Sequence, residues 1–138
     1  MLRTYVTAKL HGITVTAANL QYHGSVTIGE RYLEEAGIEP FEQVHVVNLN
    51  TGLRWITYAI AGEGDVFELN GGGARCGVVG DRCVVMAYGQ AEQNPGALIL
   101  ELDGTNRVTD IITYSTIYPD GKGERILGAV ISKGRRQS

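Results

Sequence analysis

Hydrophobic and polar positions alternate in short runs along most of this chain, the two-residue period of strands that bury one face. Leu2 to Leu10 and Ile13 to Ala17 carry β-branched residues in partial alternation, and Val26-Thr27-Ile28 resumes the pattern after a Gly-Ser pair. Gln43 to Asn48 and Leu53 to Ala61 read as the arms of a hairpin around Asn50-Thr51-Gly52, where Asn and Gly tolerate the positive φ of a tight turn. Val66 to Leu69, Arg82 to Tyr88, Ala97 to Leu102 and Thr109 to Ile117 are further strands, and Asp120-Gly121-Lys122-Gly123 suits the turn of a terminal hairpin. The period changes at Glu30 to Ala36, which predicts the main helix, with Gly29 and Gly37 at its ends and Tyr32, Leu33 and Ala36 facing inward. Gly71-Gly72-Gly73-Ala74 reads as a loop leading into a short helical turn. Many short strands with one or two short helices predict a mainly β fold, a small closed barrel.

The length of 138 residues fits one domain. A hydrophobic fraction of 43% with 20% charged residues describes an ordinary globular chain, and a formal charge of -3 argues against a nucleic-acid surface. The basic cluster Lys133-Gly134-Arg135-Arg136 reads as a solvated tail. There is no apolar run of membrane-spanning length and no charged-then-apolar leader, so a cytoplasmic protein with no membrane partner is expected. Cys76 and Cys83 are too few and too close for a disulfide framework or a zinc site, and read as small buried apolar residues.

The candidate chemistry sits at Tyr22-His23-Gly24-Ser25. A serine hydroxyl can attack the carbonyl of the preceding residue to form an ester when a strained turn brings the two together. Gly24 reaches backbone angles closed to other residues and leaves its carbonyl open. The resulting oxyanion needs a donor already in place, and Thr57 is the candidate. Elimination from the ester would release residues 1–24 and leave a dehydroalanine at position 25, which hydrolyses to a pyruvoyl group with loss of ammonia.

Lys9-Leu10-His11, Tyr22-x-Gly24-Ser25, Asn50-x-Gly52-x-Arg54, Thr57-Tyr58-Ala59-Ile60 and Asn70-Gly71-Gly72-Gly73-Ala74 follow in order, from Met1 to about Asn106, the pattern that this chain resembles: that of the pyruvoyl-dependent L-aspartate α-decarboxylases. The resemblance implies a double-psi β-barrel. It implies cleavage between Gly24 and Ser25 into a β chain (1–24) and an α chain (25–138), with 107–138 a variable extension. The cofactor would be a pyruvoyl group made from Ser25, without metal or PLP. The activity would be decarboxylation of L-aspartate through a Schiff base to β-alanine and carbon dioxide, feeding pantothenate synthesis. A homotetramer with sites between subunits is also implied, and an activating protein is compatible with it.

Residues alone leave two readings for several positions. Lys9 is a surface lysine or a cation for a two-carboxylate substrate; Arg54 is an ion pair at a hairpin base or a fork for a carboxylate. Tyr58 is a packing tyrosine or a proton donor, and Asn70 a turn signal or a positioner of Gly24 and Ser25. The resemblance assigns Lys9 and Arg54 to the substrate and Tyr58 to the proton. It leaves His11 and Tyr22 to assist cleavage with Thr57 and Asn70, and the amides of Gly72, Gly73 and Ala74 to bind a carboxylate. Thr57 and Tyr58 are expected on opposite faces of a regular strand. The chain departs from the pattern at Gly12, where the family usually has arginine, and at Gly72, Gly73 and Arg75. Two alternatives stand beside aspartate decarboxylation: a pyruvoyl decarboxylase of another acidic amino acid such as glutamate, and an unprocessed barrel that binds or assembles without catalysis.

Overall fold

A computed structural model describes residues 1–117 and 126–133. In chain order the elements are β1 (Arg3–Thr14), β2 (Ala17–Asn19), β3 (Ser25–Gly29), α1 (Glu30–Ala36), β4 (Gln43–Asn48), β5 (Arg54–Gly62) and β6 (Phe67–Asn70). A 3₁₀ turn over Gly71–Arg75 follows, then β7 (Arg82–Ala91), β8 (Ala97–Leu102), β9 (Val108–Ile117) and β10 (Ile126–Lys133). The strands form one sheet in the order β10-β9-β8-β1-β7-β4-β5-β3-β6-β2. The hydrogen-bonded ladder is open at β10 and β2. Yet β2 continues β1 after only Val15 and Thr16, so the chain itself ties the β6 end of the sheet back to β1. The fold is mainly β and barrel-like, as expected.

Alternation along each strand becomes rows of side chains across the ladders, because paired residues share a face. Leu100, Leu10, Val85, Val46 and Trp55 are successive partners across β8, β1, β7, β4 and β5. The next row on that face is Leu98, Ala8, Ala87, Val44 and Thr57. Leu10, Val44, Val46 and Val85 are fully buried, and each such side chain contributes about 1.5–3 kcal/mol. That inner face holds the sheet together and leaves the other face free to carry polar groups.

The helix forms where expected, with Tyr32, Leu33 and Ala36 buried and Gly37 closing it at φ 71. Gly29 precedes it where a Cβ would meet the Gly64 carbonyl at 2.3 Å, so close backbone approach selects glycine there. At the hairpin only Gly52 takes a positive φ (81); Asn50 does not, and Asn48 Oδ1 accepts from the N–H groups of Asn50 and Thr51 instead. The first two predicted strands merge: β1 runs through His11, with a register shift where Gly12 adopts φ 84. Cys83 is buried, and burial followed by the Asp81 charge pushes its thiol up to about 12. Cys76 is only half-buried, contrary to expectation, because it ends the 3₁₀ turn near the surface. β9 and β10 pair antiparallel as a terminal hairpin; its predicted turn at Asp120–Gly123, and Gly134–Arg136, lie outside the described residues.

Candidate active site

Ser25 opens β3 and is 2% exposed. Its register partner on β6 is Asn70, 1% exposed, whose Nδ2 donates to Ser25 Oγ at 3.1 Å and to Thr27 Oγ1 at 2.9 Å. Asn19 Nδ2 reaches Asn70 Oδ1 at 3.4 Å and fixes which way the amide points. The Ser25 hydroxyl donates to the His23 carbonyl at 3.3 Å. A buried hydroxyl is therefore held by an amide donor directly after Gly24. Sequence reasoning did not single out Thr27, although the two-residue spacing from Ser25 on a strand puts both on one face.

The glycine run has a packing role beside the one expected. Gly24 is not among the residues of positive φ, whereas Gly71 is, at φ 62. A Cβ on Gly71 would stand 2.7 Å from both Cα and N of Gly24 and 3.0 Å from the Tyr22 carbonyl. Gly71 is thus the residue whose missing side chain lets β6 and the 3₁₀ turn close over the Gly24–Ser25 bond. A Cβ on Gly24 would meet nothing within 4 Å, which leaves one side of that residue open. Gly72 is exposed, and Gly73 and Ala74 are half-buried in the turn. A Cβ on Gly73 would come within 3.1 Å of Trp55 Nε1, a buried N–H with no hydrogen-bond partner among the described residues.

Tyr58 and Ser25 each precede the Val26–Ala59 pair of the parallel β3–β5 ladder by one residue, so they stand at the same level on neighbouring strands. Thr57 pairs with fully buried Val44 and faces the core; Tyr58 pairs with exposed Gln43 and faces the other way, as expected for a regular strand. The hydrogen bonds of Ser25 and Asn70 among the described residues do not include Thr57; Thr27 occupies that place.

The remaining cations lie elsewhere. Arg54 is four residues before Tyr58, about 13 Å along β5. Its Nη2 donates to Tyr88 Oη at 2.9 Å and to His45 Nδ1 at 3.2 Å. Arginine cannot accept, so His45 Nδ1 is the acceptor of that bond. His11, Val84, Val47 and Arg54 form one row on the outer face, and Lys9, Met86, His45 and Ile56 the next. Three strands, β7, β4 and β5, separate Lys9 and His11 on β1 from Ser25 on β3, about 19 Å across the sheet. Tyr22 is 54% exposed, its ring edge-on to His23. At Gly12, where a cation is missing, Arg82 fills the space: its Nε and Nη2 donate to the carbonyls of Gly12 (2.6 Å) and Leu102 (2.7 Å). Among the described residues no group of His, Cys, Asp and Glu is arranged to hold a metal ion.

The structure is that of a mainly β, barrel-like protein in which a buried serine after a glycine accepts a hydrogen bond from an asparagine amide and a glycine turn packs on the residue before it. The sequence profile of the family described as Aspartate decarboxylase matches residues 1–109. The chain is 45% identical over 117 residues to Aspartate 1-decarboxylase 2 of Gloeobacter violaceus, covering 80% of this chain and 94% of that protein. It is 49% identical over 92 residues to Aspartate 1-decarboxylase of Trichormus variabilis (65% and 72% covered), and 48% over 115 residues to that of Maricaulis maris (78% and 94%). The chain belongs to the aspartate decarboxylase family.

Proposed function

We propose that this chain cleaves itself between Gly24 and Ser25 and that the product decarboxylates L-aspartate to β-alanine and carbon dioxide. The observation that carries the reading is the buried Ser25 hydroxyl held by Asn70 with Gly71 packed on Gly24. The Oγ attacks the Gly24 carbonyl carbon, forming the ester as the C–N bond breaks; elimination then leaves residues 1–24 with a free carboxylate. Hydrolysis of the dehydroalanine at position 25 releases ammonia. Overall, one water is consumed, one ammonia leaves, and two chains result.

The residues around Ser25 suit a pyruvoyl group. Asn70 and Thr27 offer an amide donor and a hydroxyl to its oxygens. When formed, that group supplies an electron-withdrawing carbonyl for the electrons left by the departing carboxylate. Tyr58, level with Ser25, delivers the proton that replaces the carboxylate. Arg54 binds a substrate carboxylate through its fork, with charge from Lys9, and the amides of Gly72, Gly73 and Ala74 receive the other end.

In this reading a second copy of the chain supplies Lys9 and Arg54, in a homotetramer with sites between subunits. The residues are compatible with a pathway role in making β-alanine for pantothenate.

Isotopically labelled L-aspartate and L-glutamate, followed separately by NMR with the processed protein, test the activity. Labelled β-alanine from aspartate supports the reading; processed protein that converts neither acid overturns it. Arg54→Lys should process normally and raise KM for aspartate about 10–100-fold, since a point charge replaces a fork whose bonds are each worth about 1.5–3 kcal/mol. An unchanged KM would remove Arg54 from the substrate site.

A further inference from the structure

We infer that Phe41 is a positioning residue that aims Tyr58, a role that rests on Tyr58 being the proton donor. Phe41 has φ 71, a region that bulky L-residues avoid, and it is 75% exposed. Neither its backbone nor its burial favours phenylalanine at that position. Among the described residues its aromatic partner is Tyr58: the ring centroids are 6.0 Å apart with planes 21° from parallel, an offset stack.

The backbone holds the stack in place. Phe41 N–H donates to the Ala59 carbonyl at 2.7 Å and Ala59 N–H donates to the Glu42 carbonyl at 3.0 Å, so the turn is pinned to the residue after Tyr58. The Tyr58 hydroxyl makes no hydrogen bond among the described residues, and its ladder partner Gln43 is exposed. Among the described residues no polar contact fixes the Tyr58 ring; the Phe41 face does. Backbone strain retained where it holds a reacting group is the pattern of a functional constraint. A proton donor must keep its oxygen within hydrogen-bond reach of one carbon, and small misplacements at that distance are costly in rate.

The test compares wild type with Phe41→Asn, Phe41→Tyr and Tyr58→Phe. Asparagine tolerates positive φ, so Phe41→Asn should melt no lower than wild type while kcat falls about tenfold and KM stays within about twofold. Phe41→Tyr restores the stack and should recover most of kcat. A readout independent of turnover is the ring resonance of Tyr58 in protein carrying ε-¹³C tyrosine: it should move in Phe41→Asn, where the neighbouring ring current is gone. Wild-type kcat in Phe41→Asn, or an unmoved Tyr58 resonance, would overturn the role of Phe41. So would a fall in melting temperature parallel to the loss of activity, which marks a merely structural residue. If Tyr58→Phe turns over like wild type, or wild type does not turn over aspartate, the functional reading fails first, and this role with it.

Discussion

Two buried asparagines, Asn70 and Asn106, are 1% and 2% exposed and look alike in sequence, yet their hydrogen-bond partners differ in kind. Asn106 spends its side chain on backbone: Oδ1 accepts from Thr14 N–H at 2.7 Å, and Nδ2 donates to the carbonyls of Thr14 and Asp65, each at 3.0 Å. Its own carbonyl accepts the buried Tyr32 hydroxyl, and it holds φ 61. It ties the end of β1 to the loop before β6 and to α1. Asn70 spends its amide on two side-chain hydroxyls, one of them next to Gly24. The backbone partners of Asn106 take no part in the proposed reaction, so Asn106 fixes shape; one hydroxyl partner of Asn70 is the proposed nucleophile, so Asn70 is placed to support that reaction. The chemistry of the partners separates a structural clamp from a site, where residue type and burial do not.

Breaking the clamp should give the largest effect on stability. Asn106→Ala leaves a buried N–H and two carbonyls without their partner, at about 1–3 kcal/mol for each unsatisfied group before relaxation, so a loss near 3 kcal/mol is expected in denaturant titration. The folded fraction should still be cleaved. A loss below about 1 kcal/mol would mean the knot is not a clamp. Asn70→Ala should cost less stability, about 1–2 kcal/mol, but slow cleavage roughly 100-fold, the scale of removing one preorganised donor; gel time courses of the precursor measure it. Cleavage at the wild-type rate would place Asn70 with Asn106 as a structural residue. Thr27→Val removes only the second hydroxyl, and cleavage a few-fold slower is expected by the same assay.

The smallest effect concerns acid. Asp81 is held below its ordinary 3.8 by the Asn48 amide and then the Val78 N–H, and Asp103 by the Arg107 N–H and then Thr105. A carboxyl with a lowered folded value adds stability that is fully present above 3.8 and is lost as pH falls through that lowered value. Melting temperature should therefore decline below about pH 4, and Asp81→Asn should flatten part of that decline. Neither residue touches Ser25, so cleavage near neutral pH should not change.

How much of this was legible beforehand depended on the range of the interaction. β4 and β8 have the predicted ends, and α1 has its predicted glycines, because alternation and capping are local signals. The break predicted between Leu10 and Ile13 is a bulge in a continuous strand; Gly12 interrupts the alternation in sequence just as a turn would. The parallel partners β1–β8 and β3–β5 left no local trace. Ser25 stands out as a serine directly after a glycine and Asn70 through the family pattern, but their pairing across β3 and β6 is a matter of register. The sequence points to Gly72, Gly73 and Ala74 rather than Gly71, since only the approach of Gly24 in space distinguishes it. Asn106 carried no signal at all: its partners, Thr14 and Asp65, are far away along the chain.

Cleavage of the Gly24–Ser25 bond is tested directly by the intact mass of the purified protein under denaturing conditions. Two fragments that meet between residues 24 and 25, the larger lighter by one ammonia than a chain beginning with serine, are predicted, with Ser25→Ala giving one full-length mass. A single full-length mass for the wild type that persists after warming and after incubation with cell extract would contradict it.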